Sequence, residues 1–498
     1  MPHNSKLLFL NEYSNIQRGQ ALLALLVLLT VGAGAAFYTL IRPASSAMER
    51  DKITAAALAQ AKSALIGYAV AVDLSGAGRP GDLPCPDRDD DGDADAVPIC
   101  NGAALGRLPW KTLGLPDLRD GDGERLWYAV SSSFKNNPRT DCAAPGDAGC
   151  LNSDSRGTIT IRNSAGTVIH DGANPDAFTP SGVIAVIFAP GAALRRQGAG
   201  ASQDRSCTGG SCTTAGVCNS SPTTLTAKCN PVNYLDVLNG VEDNAGFTDG
   251  SATDGFINGV IRDANNNVIV NDRLITITYS DLMPVLQRRV AKEVLNCLND
   301  YAALPQNGGG PPTYNGRYPW AAPVATVTYA DTVDTRFGRV PDNPLSATQL
   351  GVAGGVADSS CPASPTVCMS TNWPVSVSCS ITQGTWWNNW KEMVFYGVAD
   401  AYKPADPVSG GGVPPSGGCG GCLTVNNDTP SPYTNKRVVV VVAGKRLSGV
   451  AGGQPRSIDK GTSTNYLEND NDGGTNTSQN TFGQHSTTAS FNDLLLYQ

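Results

Sequence analysis

Alternating aspartates give the chain its sharpest chemical signal: Asp87, Asp89, Asp91, Asp93 and Asp95, with Asp90 and Gly92 set among them. Alternate side chains of a tight loop can converge, and a hard divalent cation binds through six to eight oxygens of this kind. Crowded without a cation, these carboxylates would repel one another. The pattern points to a calcium loop; the other reading is a solvated acidic turn. Enzymatic chemistry finds little support. There are 3 histidines, His3, His170 and His485, and no G-x-S-x-G, H-E-x-x-H or phosphate-binding loop. The chain reads as a non-enzyme, although carboxylate pairs brought together in space stay open as a hydrolytic route.

Asp87 to Gly92 matches the first half of an EF-hand loop, D-x-D-x-D-G, but Pro98 stands where the closing glutamate belongs. The expectation is a one-sided loop, closed by other oxygens and bracketed by Cys85 and Cys100. Asp470-Asn471-Asp472-Gly473 is a weaker echo, read as a turn. Cys419-Gly420-Gly421-Cys422 lies in a Gly/Pro-rich loop, whereas a redox motif opens a helix, so a local disulfide is expected there. Trp386, Trp387 and Trp390 read as core, with one or two of them free at most for a sugar or a partner.

The elements that must position these residues belong to an α+β, loop-rich chain. Its 498 residues predict two or more domains. Net charge −8 and the lack of a Lys/Arg cluster argue against nucleic acid as a partner. All 14 cysteines follow residue 80, and most are closely spaced: Cys85/Cys100, Cys142/Cys150, Cys207/Cys212, Cys218/Cys229, Cys361/Cys368 and Cys419/Cys422. That is a disulfide framework of an oxidising compartment, with Cys297 and Cys379 left as a long-range pair.

An apolar stripe at Ile53, Ala57, Ala61, Leu65, Tyr68 and Val72 predicts a helix from Ala47. Strands are expected at Leu126–Ser131, Thr158–Arg162, Gly182–Ala189 and Leu274–Tyr279. The pattern then restarts. Ser280-Asp281 can cap a second helix with a stripe through Leu286, Val290, Val294 and Leu298. Leu298–Ala302 matches Leu65–Ala69, Asn315–Trp320 matches Gly106–Trp110, and Asn388–Tyr396 matches Asp120–Tyr128. Val438–Gly444 matches Val183–Gly191, and Asn465–Glu468 matches Asn233–Asp236. The chain therefore reads as a duplication, with halves at 43–279 and 280–498.

Gln20 to Ile41 is free of charge and long enough to cross a bilayer, and it follows a polar leader with Lys6 and Arg18. A leader (1–19) that ends in Arg18-Gly19 and runs straight into an apolar helix (20–42) resembles the prepilin signal of type IV pilins and type II secretion pseudopilins. Asp120–Tyr128 is similar to the D-x-W-G-x-x-L-x-Y hairpin of G-type pseudopilins, with Asp122 in place of tryptophan; Trp390 restores it in the second half. Gln20 departs from the usual aromatic first residue, and Ala24 stands where most of the family has glutamate, an absence similar to that in the K-type pseudopilin and some minor pilins of filament tips. The resemblance implies cleavage between Gly19 and Gln20 by a prepilin peptidase, methylation of the new N-terminus, and calcium in the first head. It also implies two tandem pilin-like heads, each a helix packed on an antiparallel sheet. Such a subunit starts in the inner membrane with periplasmic heads and joins other subunits in a pilus or pseudopilus at the cell surface. A membrane-anchored calcium-dependent adhesin that never polymerises shares every feature beyond the N-terminus.

Overall fold

The computed structural model describes residues 46–498 apart from 97–103, 137–141, 143–148, 174–181, 199–201, 206–229, 252, 305–315, 333, 345–371, 375–378, 405–418, 420, 448–453, 457–458, 474–476 and 489. Gly19, Gln20 and the helix expected at 20–42 lie outside the described residues. So do Cys100, Cys207, Cys212, Cys218, Cys229, Cys361 and Cys368. Disulfides join Cys142–Cys150, Cys297–Cys379 and Cys419–Cys422, and Cys85 is also disulfide-bonded.

Helix α1 spans Ser46–Ala71 and is long and apolar enough to cross a membrane. Packing accounts for part of that apolarity: Ala57, Leu58, Ala61, Leu65 and Ala69 recur at helical spacing and are buried in the main core. Its first two turns, which carry Glu49, Arg50, Asp51 and Lys52, are exposed.

Among the described residues eleven strands precede residue 279 and seven follow residue 303, and seven of the first set recur in the second in the same order. In the first half, β1 (Leu105–Arg107), β2 (Trp127–Val130), β5 (Ala185–Ala189) and β7 (Arg273–Ile277) form an antiparallel sheet in that order. A smaller sheet pairs β3 (Ile161–Arg162) antiparallel with β4 (Val168–His170) and parallel with β6 (Phe256–Ile257). The second half repeats both. β8 (Phe337–Arg339), β9 (Val394–Val398), β12 (Val438–Val442) and β14 (Leu494–Tyr497) form the larger sheet. β10 (Leu423–Asn427) pairs antiparallel with β11 (Tyr433–Lys436) and parallel with β13 (Thr481–Gln484). Register agrees too: Gly106 faces Tyr128 and Gly338 faces Tyr396, and each tyrosine hydroxyl donates to a proline carbonyl, of Pro84 or Pro319.

The duplication extends to buried polar networks. Arg205 donates to the carbonyls of Asn233 and Tyr234 at 3.0 Å each; Arg456 donates to those of Asn465 and Tyr466 at 2.7 and 3.1 Å. The Gln203 amide reaches Asp236 at 2.9 Å and the Gln454 amide reaches Glu468 at 2.7 Å. Asn244 and Asn471 each clamp one residue of the smaller sheet, Ile257 or Gly483, through its N–H and its carbonyl. Asp272 and Asp493 each accept the backbone N–H of the acid three residues after the shared asparagine, Asp236 and Glu468.

One expected correspondence fails. Gly316 matches Gly81, since Gly81 donates to the Ala69 carbonyl and Gly316 lies against the Ala302 carbonyl. The partner of Gly106 is Gly338, which heads the second sheet. The second helix, α2 (Tyr279–Ala303), also starts earlier than Ser280-Asp281 suggests. Thr278 is its N-cap, and the Asp281 carboxylate accepts the Thr278 N–H at 2.8 Å, a capping box that ties down the first turn.

The pleat sorts β2 and β5 onto two faces. Tyr128, Val130, Ala185 and Ile187 face the main core, while Trp127, Ala129, Val186 and Phe188 join a second cluster with Tyr234, Leu235 and Phe256. The main core also takes in α1, α2 and the second sheet, so the halves share one interior. Polar contacts stitch the seam: the Ser153 hydroxyl donates to the Ala443 carbonyl at 2.6 Å, and Asn389 accepts the Leu151 N–H at 2.9 Å. Arg289 of α2 donates to the carbonyls of Val70 and Val72 at the end of α1. Trp386, Trp387 and Trp390 lie on a short helix, α3 (Trp386–Trp390), and all three are buried; none is free for a ligand.

Candidate metal centre

The acidic loop is fastened to the edge of the first sheet. Asp87 exchanges both backbone hydrogen bonds with Arg107, the last residue of β1. Its carboxylate then folds the loop back on itself, accepting the N–H of Asp90 at 2.7 Å and of Gly92 at 2.8 Å. Gly92 has φ +92°, a left-handed conformation that disfavours side chains, and a Cβ there would strike the Trp110 indole. The Gly92 carbonyl accepts the Lys111 N–H and the Ala94 N–H reaches the Thr112 hydroxyl, each at 2.8 Å, so the loop wraps the Trp110 turn.

Within this frame Asp87, Asp89 and Asp95 converge: one carboxylate oxygen of each lies within 4.8 Å of the others. Asp91 and Asp93 fall outside this group. Asp91 accepts the Asp93 N–H at 2.7 Å, and Asp93 lies 3.9 Å from Lys111 Nζ at the exposed rim. Asp90 turns inward and pairs with Arg125 at 2.7 Å. Arg125 is held in turn by Asp117 at 3.0 Å. Asp120 organises the turn before β2 by accepting the N–H of Asp122 and Glu124 at 2.9 Å and of Gly191 at 2.8 Å.

The triad is electrostatically unsettled. Burial pushes the Asp87 carboxyl up to about 7, and its aspartate neighbours add to the rise. Burial likewise pushes Asp95 up to about 6 and raises Asp89, which Asp91 raises further. Among the described residues, no ion pair reaches Asp87, Asp89 or Asp95. Three clustered carboxylates, two of them buried, form an all-oxygen donor set suited to a hard cation and unlike the thiolate or imidazole sets of softer metals. Asp87, Asp89 and Asp95 could hold such an ion, which would neutralise them and fix the loop.

No family model, curated protein or solved structure matches the chain.

Among the described residues the second half shows no matching centre. Ala322 makes the exchange with Arg339 that Asp87 makes with Arg107. The expected echo at Asp470–Gly473 is a turn. Asp470 accepts from Asn426 and Asp472 from Ser463, while Asn471 is the buried clamp on Gly483. Sequence reading missed Arg107 and Arg125, which balance Asp90. A signal was available, because Gly-Arg ends the first strand of both sheets and a buried arginine needs a partner.

Proposed function

We propose that the chain is a minor-pilin- or pseudopilin-like structural subunit: an N-terminal membrane helix at 20–42, cut after Gly19, carrying two fused pilin-like heads. The observation that carries this reading is α1, whose exposed first turns lead into a stripe buried in the core beside an antiparallel sheet. A helix of that kind, directly after the apolar run from Gln20, is what a filament subunit needs: one part for the bilayer and filament core, one part for the head. The role is mechanical and adhesive, without catalytic turnover. Its partners are a prepilin peptidase, the inner membrane and other subunits, and its place is near a filament tip. Calcium is the cation we assign to Asp87, Asp89 and Asp95, where it braces the first head.

The test is the mass of the N-terminal peptide of the membrane-embedded protein from its native host. The expected peptide starts at methylated Gln20, and Gly19→Trp should leave an uncut precursor. An intact N-terminus, or a cut elsewhere, would overturn the filament reading. It would favour an anchored calcium-dependent adhesin, a second reading that the acidic triad supports equally well.

A further inference from the structure

A cleft of about 510 Å³ opens between the first turns of α2, the turn after β12 and the start of β14. That volume suits a small ligand. Its lining includes Arg288, Lys445 and Arg446 together with Gln484, Asn492 and Asp493. The local charge runs against the acidic chain. Among the described residues, no carboxylate forms a salt bridge with Arg288 or Lys445. Asp154, the acid nearest Arg446, lies 3.7 Å from its Nε and is also taken by Arg456 at 3.0 Å. The acid in the wall, Asp493, is buried beside Glu468, and burial first and the Glu468 charge second push its carboxyl well above the usual carboxylate range.

The duplication supplies an internal control. Gly444 matches Gly191, so Lys445 and Arg446 stand where the first half has Ala192 and Ala193; the Leu298–Ala302 match places Arg288 opposite Ala55. All three cations are additions to a shared frame. The oxygens differ as well. Asn492 Oδ1 and Asp493 Oδ1 are buried without a partner, but so are Asn271 Oδ1 and Asp272 Oδ1, and they belong to the fold. Gln484 is different. Its Oε1 is buried without a partner, whereas its counterpart, Asn258 Oδ1, accepts the Leu274 N–H at 3.1 Å. A buried acceptor without a donor is costly, and Gln484 lines a cleft that could supply one.

We infer that this cleft binds a small hydroxylated carboxylate, of the sugar-acid class: its anionic group on Lys445, Arg446 and Arg288, a hydroxyl donated to Gln484 Oε1. The full chain in detergent, titrated calorimetrically with glucuronate, should bind with a dissociation constant near or below about 1 mM, which is modest for a ligand of this size. Glucose should bind at least tenfold more weakly. Lys445→Ala/Arg446→Ala installs the residues of the first half and should weaken glucuronate tenfold or more with an unchanged circular dichroism spectrum. Gln484→Ala should weaken glucuronate but leave inorganic phosphate unaffected. Failure of glucuronate to bind, equal binding of glucose, tighter binding of phosphate, or indifference to the double variant would each overturn the assignment.

Discussion

Asp87 and Ala322 occupy one position in the two halves: each exchanges both backbone hydrogen bonds with the arginine that ends the first strand of its sheet, Arg107 or Arg339. The frame is common and the carboxylate is not. A single class of tight cation site is therefore expected per chain. Calcium at 100 times its dissociation constant should stabilise the fold by about 2.7 kcal/mol, reversibly with chelator. Asp89→Asn or Asp95→Asn should abolish the shift and Asp93→Asn should keep it. Thermal melts with and without calcium decide; equal melting temperatures would refute the site.

Gly92 tests the geometry rather than the charge. Gly92→Ala forces a side chain into a left-handed position, which costs about 1–3 kcal/mol, and drives a methyl towards Trp110. The loop should lose at least tenfold in calcium affinity with every carboxylate still present. Unchanged affinity in a calcium titration would mean that the loop is not preorganised.

The buried acids Asp236 and Asp272 make stability depend on pH. Burial pushes Asp236 up to about 6, and burial together with the Asp236 charge holds Asp272 well above the carboxylate range. Unfolded, both would titrate near about 3.9. Carboxyls raised in this way contribute stability that is complete below about pH 4 and is lost as pH rises through the folded values. Stability should thus fall from about pH 4 to beyond 6. Asp272→Asn can keep the acceptor role towards Asp236 and Asn244 without the charge, and should be more stable than the parent at pH 8. Denaturant unfolding at three pH values measures this.

Arg339 is 1% exposed, lies 4.9 Å from the Tyr466 ring centroid and 5.3 Å from that of Phe395, and donates to the Lys460 carbonyl at 2.7 Å. A lysine cannot reproduce that planar fork. Arg339→Lys should cost about 2 kcal/mol in chemical denaturation, because buried carbonyls lose their donors. A cost near zero would show that the stacking carries no weight.

The seam makes the halves one folding unit. Calorimetry should give one transition for the described halves. Asn389→Ala, which orphans the buried Leu151 N–H, should move that transition down by about 1–3 kcal/mol without splitting it. Two resolved transitions would contradict a shared interior.

The most legible parts of the sequence were those where side chains do the holding. Asn233–Asp236 and Asn465–Glu468 match because each segment carries the acid that a glutamine and a neighbouring backbone require. Gln203-x-Arg205 and Gln454-x-Arg456 have the same spacing, a match legible in the sequence. The acidic loop was legible as a group, although which three of its carboxylates converge depends on the left-handed turn at Asp90 and Gly92. Sheet register was hidden. Gly106 and Gly316 sit in similar Gly-Arg-x-Pro-Trp strings, and only strand pairing shows that Gly338 is the true counterpart. The cleft was hidden as well, since its cations come from segments more than 150 residues apart, at Arg288 and Lys445.

The last described strand, Leu494–Tyr497, pairs with Val439–Val442 and lies against α2, which lines the interior shared with the first half. Closure of that interior therefore waits on residues near position 495. A chain threaded through a membrane N-terminus first would emerge with its early half complete in sequence but open on one side. Apolar side chains would be bare for as long as delivery lasts. Speed of translocation, or a chaperone on the receiving side, would then set the yield of folded protein more than the final stability does.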